Sequence, residues 1–416
     1  MRFRPFTVEI VRRILGLSTL ICALFFIGCG SSGSDVPITS TLIVSDTHQN
    51  RVLIYDAPFS TGQNASVVLG QVAFTTESSG TTASTMFFPG AITVDNAGHL
   101  YVADVGNCRV IRFDAPSAIG MSADLVFGQP NLNSGSCPTI VSATSLGKSI
   151  SLGNNVFGIS LINIVSDSGG GLWVADSENH RVLEYKPPFT NGMAAVLAIG
   201  QEDLNSGNAN EGGLAPTDAT LLAPFGLAFD PAGNLWIVDH GNCRVLEFKP
   251  PFTTGMAASL VLGQADFAHG APDAGGSVGT NTLNEPLGAT FDRSGNIWVA
   301  DALNNRVLEF QAPFTTDMNA GLVLGQVDFT HGMANQGGTV RASATLNNPH
   351  EVTFDSSGRL FVSDSGNDRI LMFAPPFSNG MNASLVIGQA DFASAVTATT
   401  AAGMNFPFGM IAASAH

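Results

Sequence analysis

At 416 residues, with only 12% charged side chains but 46 glycines and 21 prolines, the chain disfavours long amphipathic helices and suits many short segments joined by tight turns. Its formal net charge of −16, from 33 acidic residues against 17 Lys plus Arg, repels phosphate backbones and argues against nucleic-acid binding. Arg2, Arg4, Arg12 and Arg13 all lie in the first segment, so the remainder is more acidic still.

The chain opens on a basic stretch, an apolar run from Ile14 to Ile27, and then Gly28-Cys29. The run is short for a membrane span and has the layout of a secretory signal, predicted over residues 1–28. Its end, F-I-G-C, resembles the lipobox of bacterial lipoproteins. That resemblance implies lipidation of Cys29, a membrane attachment through the lipid alone, and, with Gly30 following, an outer-membrane destination in the cell envelope. Residues 29–39, beginning C-G-S-S-G-S-D, read as a flexible tether. Cys108, Cys137 and Cys243 then remain for an oxidising compartment, where disulfides persist. Cys108 and Cys243 hold the same slot in different repeats, and Cys137 falls in the next long loop after Cys108. A Cys108–Cys137 bridge is therefore favoured, with one thiol left over, and no C-x-x-C spacing supports zinc.

From Ser40 onward one phrase recurs six times, in its fullest form W-I-V-D-H-G-N-C-R-V-L-E-F at Trp236 to Phe248. An aspartate ends one apolar run and an arginine opens the next five residues later. The pairs are Asp46/Arg51, Asp104/Arg109, Asp176/Arg181, Asp239/Arg244, Asp301/Arg306 and Asp364/Arg369. Around each pair stand four apolar runs of strand length, separated by Gly, Pro, Asn and Asp turns. Four antiparallel strands at this period make a propeller blade. The first copy lacks its leading strand, and Phe406 to Ala413 supplies one with nothing after it. The expectation is an all-β, six-bladed propeller over residues 40–416. Its C-terminal strand, about 406–413, closes the ring on the N-terminal strands, about 41–71, and removes exposed edges.

The pattern P-x-G, then G-N-[apolar]-[aromatic]-V-[AV]-D, then N-x-R-V closely resembles the NHL repeat across residues 40–416. The recurring G-Q-x-D-F or G-Q-x-D-L resembles a bacterial lipoprotein subgroup with long inter-blade segments. The resemblance implies a propeller that binds proteins, peptides or small molecules, with one branch of the family being a metal-dependent amidating lyase. Fold alone does not choose among these.

The blade around Trp173 departs from the pattern. Gly158 lies nine residues before Asp167, whereas Gly226 lies four before Asp230, so a bulge or a longer first turn is expected there. Aspartate-to-arginine turns and the loops after G-Q share one face, which makes that loop-rich rim the expected binding site. Because the Asp/Arg pairs recur in every blade, they read as clamps, each locking its own hairpin. The asparagines two before the arginine (Asn107, Asn179, Asn242, Asn304, Asn367) suit a left-handed turn position. The slot Tyr101, Trp173, Trp236, Trp298, Phe361 reads as blade packing, and Met121, Met193, Met256, Met318 and Met381 read as gap fillers between blades. One strand opening differs: Pro349-His350-Glu351 stands where other repeats have Pro-Phe-Gly or Pro-Leu-Gly. His350 and Glu351 are thus the candidate ligand or channel-mouth residues. With His48, His180 and His240 they sketch a weak Zn or Ca site, although no cofactor is predicted. The function expected is that of a monomeric, envelope-anchored binding or scaffolding module. A metal-dependent propeller enzyme and a purely structural envelope protein are the alternatives.

Overall fold

In a computed structural model the described residues are 40–147, 150–152, 155–157 and 162–414. The signal, Cys29, the tether and Gly158 lie outside them. Six four-stranded antiparallel sheets form the ring, and five of them run from an inner to an outer strand in chain order. Blade 4 is representative, with strands Leu227–Phe229, Leu235–Asp239, Arg244–Phe248 and Leu260–Leu262. Its second and third strands are buried on both faces, because neighbouring blades cover each sheet from either side. That explains why they read as continuous apolar runs rather than alternating ones. Trp236 and Val238 of blade 4, for example, share a cluster with Ala289, Ile297 and Val299 of blade 5. The repeated methionines are partly buried against such clusters between blades.

Ring closure comes from the two chain ends. Pro407–Ser414 pairs antiparallel with Ser40–Asp46, in the register Thr41↔Ala413, Ile43↔Ile411 and Asp46↔Pro407. It is the inner strand of blade 1, whose other strands come from the start of the domain. The inner strands of blades 2, 3, 5 and 6 are Pro89–Val94, Ile162–Ser166, Pro286–Phe291 and Pro349–Phe354.

Each Asp/Arg pair is fully buried and joined at 2.6–2.8 Å. Each pair joins the two ends of its own hairpin turn, and every arginine also reaches out of that hairpin. Arg244 donates to Asp239 through Nε, to the Phe267 carbonyl ahead, and to the Thr217 and Thr220 carbonyls behind. Arg51, paired with Asp46, donates to the Phe74 carbonyl ahead and to those of Thr400 and Gly403 at the far end of the chain. Arg109 with Asp104 holds Leu132, Thr82 and Thr85 in the same way. Arg181 with Asp176 holds Leu204, Ser142 and Ser145. Arg306 with Asp301 holds Phe329, Gly279 and Thr282. Arg369 with Asp364 holds Phe392, Ala342 and Thr345. The physical reason is the guanidinium's five donors: the carboxylate uses only some of them, and a buried fork must satisfy the rest. Arg51, Arg109, Arg181, Arg244, Arg306 and Arg369 are therefore inter-loop braces, shielded from solvent and out of reach of any ligand.

The asparagines do not take the left-handed position expected of them. Asn50, Cys108, His180, Cys243, Asn305 and Asp368, one residue later, have the positive φ. Asn242 lies within the 3-10 turn, and its amide donates to Asp239 at 2.8 Å. The carboxylate outcompetes the local turn for that amide, since a charge-assisted bond in a buried site is the stronger one.

Blade 3 also differs from expectation. The inner strands of blades 1, 2, 5 and 6 carry a register shift near their start, but Ile162–Ser166 pairs without a break. Its turn at Asp167 to Gly171 closes with the same bonds as the turn at Asp230 to Asn234. The extra residues therefore lie before Ile162, and the described strand has neither a bulge nor a longer turn. A short hairpin, Ile150–Leu152 with Asn155–Phe157, occupies part of the preceding loop. Cys108 and Cys137 form a disulfide with a Cα–Cα distance of 5.1 Å, and Cys243 is a buried free thiol.

Candidate functional site: the axis and the loop-rich rim

The tripeptide opening each inner strand decides what fills the axis. Its second place is Phe225, Leu287, His350 or Phe408 in blades 4, 5, 6 and 1. Phe225 and Phe408 meet edge to face at 5.2 Å. Blades 4 and 1 stand opposite each other in a six-membered ring, so this contact crosses the axis. Leu287, Ala302 and Phe406 complete the cluster. His350 is only 4% exposed, with its ring edge-on to Phe408 at 4.4 Å and to Phe406 at 5.0 Å. The structure thus puts His350 inside an aromatic plug, not at an accessible channel mouth. The tripeptide begins at the loop-rich end of the strand, so among the described residues this plug stands across the axis on that face.

The third place of the tripeptide is alanine or glycine elsewhere (Ala91, Gly226, Gly288, Gly409) because the inner strands crowd there. A Cβ at Gly226 would stand 2.3 Å from the Leu287 carbonyl oxygen, and one at Gly409 would stand 2.5 Å from that of Gly90. Glu351 fits because Gly288 beside it leaves room: a Cβ at Gly288 would lie 2.6 Å from the Glu351 carboxyl. The carboxyl reaches over the axis to blade 3, where the Asn163 amide donates to it at 3.2 Å. Two cross-axis links, one aromatic and one polar, therefore cap the same end.

Beyond them the six inner strands line a cavity of about 280 Å³, with Thr93, Ser166, Thr290 and Thr353 set among apolar neighbours. It extends towards the D-x-x-G-N turns, away from the loop-rich rim. Enclosure pushes the Glu351 carboxyl up to about 8, against the smaller opposing pull of hydrogen bonds from the Val352 N–H and Asn163. Near pH 7 it is held neutral. Burial, with a smaller contribution from His240, drives His350 down to about 3, so that ring is neutral as well. Asn163 does not stand out in the sequence. Its signal there is a polar residue on an inner strand of the blade that breaks the Pro-x-Gly rule.

The sketched metal site is not assembled. His48 stacks on Phe406 and contacts the Asn405 side chain. His180 accepts from the Ala223 N–H, and His240 bonds the Pro286 carbonyl. Each of these histidines is committed through Nδ1 to a partner in a different part of the ring. Among the described residues no group of three or more His, Cys, Asp and Glu could hold a metal ion. His269 and His331 sit on exposed loops, each paired with its own aspartate at 2.6 Å.

The rim itself is rigidly mounted. Besides the arginine forks, the G-Q glutamines donate to the residue before the arginine and to their own loop seven residues on, as Gln264 does to Cys243 and Ala271. Held this way, the loops expose apolar side chains that they do not bury. Among the described residues, Val72, Ile140, Leu214, Leu303, Val327, Met333, Val340 and Val396 are large, apolar and exposed, and all lie on rim loops or turns. Only Ile119 and Val196 of the same class lie elsewhere.

The NHL repeat matches residues 88–113 and 164–185, which fall on the first three strands of blades 2 and 3. Human NHL repeat-containing protein 3 is 31% identical over 102 residues, which is 24% of this chain and 25% of that protein. The match thus spans about a quarter of that relative's length. Among solved structures, the nidogen/laminin complex is 15% identical with a TM-score of 0.46, covering 90% of this chain and 98% of that one. A gluconolactonase from Xanthomonas campestris is 15% identical at a TM-score of 0.42, covering 77% and 78%. A catalytically inactive virginiamycin B lyase from Staphylococcus aureus is 11% identical at 0.40, covering 82% and 83%. The chain is thus a six-bladed β-propeller, two adjacent blades of which match the NHL repeat.

Proposed function

We propose that this propeller is a binding and scaffolding module whose loop-rich rim docks a protein or peptide. The supporting observation is the gathering of exposed apolar side chains on one rigidly braced face, over an axis closed by Phe225, Phe408, Glu351 and Asn163. A sealed, stiff platform with apolar contacts loses little conformational entropy on association. The acidic surface selects against polyanions and favours partners of neutral or basic character. Photo-crosslinking residues at Val327 and Met333 should give discrete adducts in cells that make the protein, and the same residues at Asn96 and Arg293 on the opposite face should not. Adducts from Asn96 and Arg293 alone would overturn this reading.

The compartment proposed is the cell envelope, with a lipid on Cys29 as the anchor. The Cys108–Cys137 disulfide supports an oxidising location. Cys29→Ala should move the protein from the membrane fraction to the soluble extracytoplasmic fraction. An unchanged membrane fraction would remove the lipid anchor from the account.

A further inference from the structure

The inter-blade seams are packed by aromatic side chains at three equivalent places: the second strand, the neighbouring inner strand, and the neighbouring outer turn. Trp173 lies against Phe229 and Phe252, Trp236 against Phe291 and Phe314, and Trp298 against Phe354 and Phe377, at 4.8–5.9 Å. At these three places two further seams keep one pair each, Tyr101 with Phe189 and Phe361 with Phe59. The seam between blades 1 and 2 keeps none. Ile43 takes the tryptophan slot, as its pairing with Ile54 shows beside that of Trp236 with Glu247. Val94 takes the inner-strand slot and Ser117 the outer-turn slot.

The ring cannot close up to compensate, because five other seams fix the spacing of the blades. A cleft of about 560 Å³ opens there instead, on the face away from the rim, with Ile43, Ile54, Val94 and Leu100 among its lining residues. Protein interiors are close-packed, and a gap of this size at one seam out of six is a departure from that rule. Its edge carries Asp56, Ser66 and Ser117, all exposed. Asp56 is the charged group among the lining residues. An apolar slot with a few polar groups at its edge is the usual make-up of a small-ligand site.

We infer that this seam is a binding site for a small flat aromatic molecule carrying a cationic substituent. The ring would take the volume that indole and phenyl side chains fill in the other seams, and the ammonium would face Asp56. The site is separate from the rim, so the two can fail independently.

Titration calorimetry with three probes tests the inference: tryptamine, indole-3-acetate and butylamine. Tryptamine should bind at least about tenfold more tightly than either of the others, since one lacks the cation and the other lacks the ring. Asp56→Asn should remove the preference for tryptamine over indole-3-acetate. The double variant Val94→Phe/Ser117→Phe, which restores two of the three aromatic places, should abolish binding while melting at the same temperature as the parent or higher. Tryptamine binding that is undetectable, or equal to that of butylamine, would overturn the proposal. So would binding that survives in a folded Val94→Phe/Ser117→Phe protein.

Discussion

Arg244→Ala is expected to destabilise the propeller by about 3–5 kcal/mol, the range for breaking a buried ion pair from one side. The arginine is fully buried, and Asp239 beside it is equally shielded. Burial already raises the Asp239 carboxyl above its ordinary range with Arg244 in place. Without the guanidinium, the carboxylate must protonate or draw water into the seam. The Phe267, Thr217 and Thr220 carbonyls also lose their donor, so the loops before and after blade 4 come loose together. Arg244→Lys should recover only part of this, because an ammonium cannot reproduce the fork. Arg112→Ala is the control: its pair with Asp124 is partly exposed, and its loss should cost under about 1 kcal/mol. Urea unfolding of the three variants measures the order. Equal midpoints for Arg244→Ala and Arg112→Ala would remove the arginine from its bracing role.

Removal of residues 406–416 should have a still larger effect. It deletes the inner strand Pro407–Ser414 and leaves Ser40–Asp46 with an unpaired edge, an invitation to aggregation. It also takes Phe406 and Phe408 out of the axial plug. Loss of the cooperative melt and elution as high-mass species are the expected results in circular dichroism and size-exclusion chromatography. A permuted chain carrying residues 406–414 ahead of Ser40, joined by a short turn, should restore both, because Ser40 and Ser414 are paired neighbours. A truncated protein that stays monomeric with an unchanged melt would show that the ring does not depend on this closure.

The six-fold recurrence of aspartate and arginine makes the blades legible, since a period built of strand-length runs leaves few alternatives to a propeller. Counting strands also reveals the closure, because the first repeat lacks one and the last residues supply it. What the arginines hold is less legible. Spacing ties Arg51 to Asp46 or Arg306 to Asp301, but their carbonyl partners lie 23 or more positions away, and the recurring segment after G-Q that supplies one of them carries no sign that its backbone meets the arginine. The axis hides its contents for a similar reason. His350 and Glu351 stand out as the odd tripeptide, yet sequence cannot tell that Phe225 and Phe408 meet over the axis, since each looks like its own repeat's packing residue. Asn163 matters only through Glu351, 188 positions away in the chain, and no local pattern reports such a pairing. The empty seam behaves likewise: Ile43, Val94 and Ser117 are ordinary residues, and only their coincidence at one interface leaves a cleft.

Glu351 reports most directly on whether the axis is closed beneath the rim. Its proton affinity is raised to about 8 in the fold from the ordinary value of 4.5, so the folded state holds a proton that the unfolded chain has lost between those values. Its contribution to stability is therefore greatest at low pH and declines as pH rises through that window. Isotope-edited infrared titration of the glutamate carboxyl, with Glu351→Gln subtracted, should show a carboxylic-acid band disappearing with a midpoint near the folded value of about 8. A midpoint close to that of an ordinary, solvated glutamate would mean a water-filled, open axis, and would contradict the account.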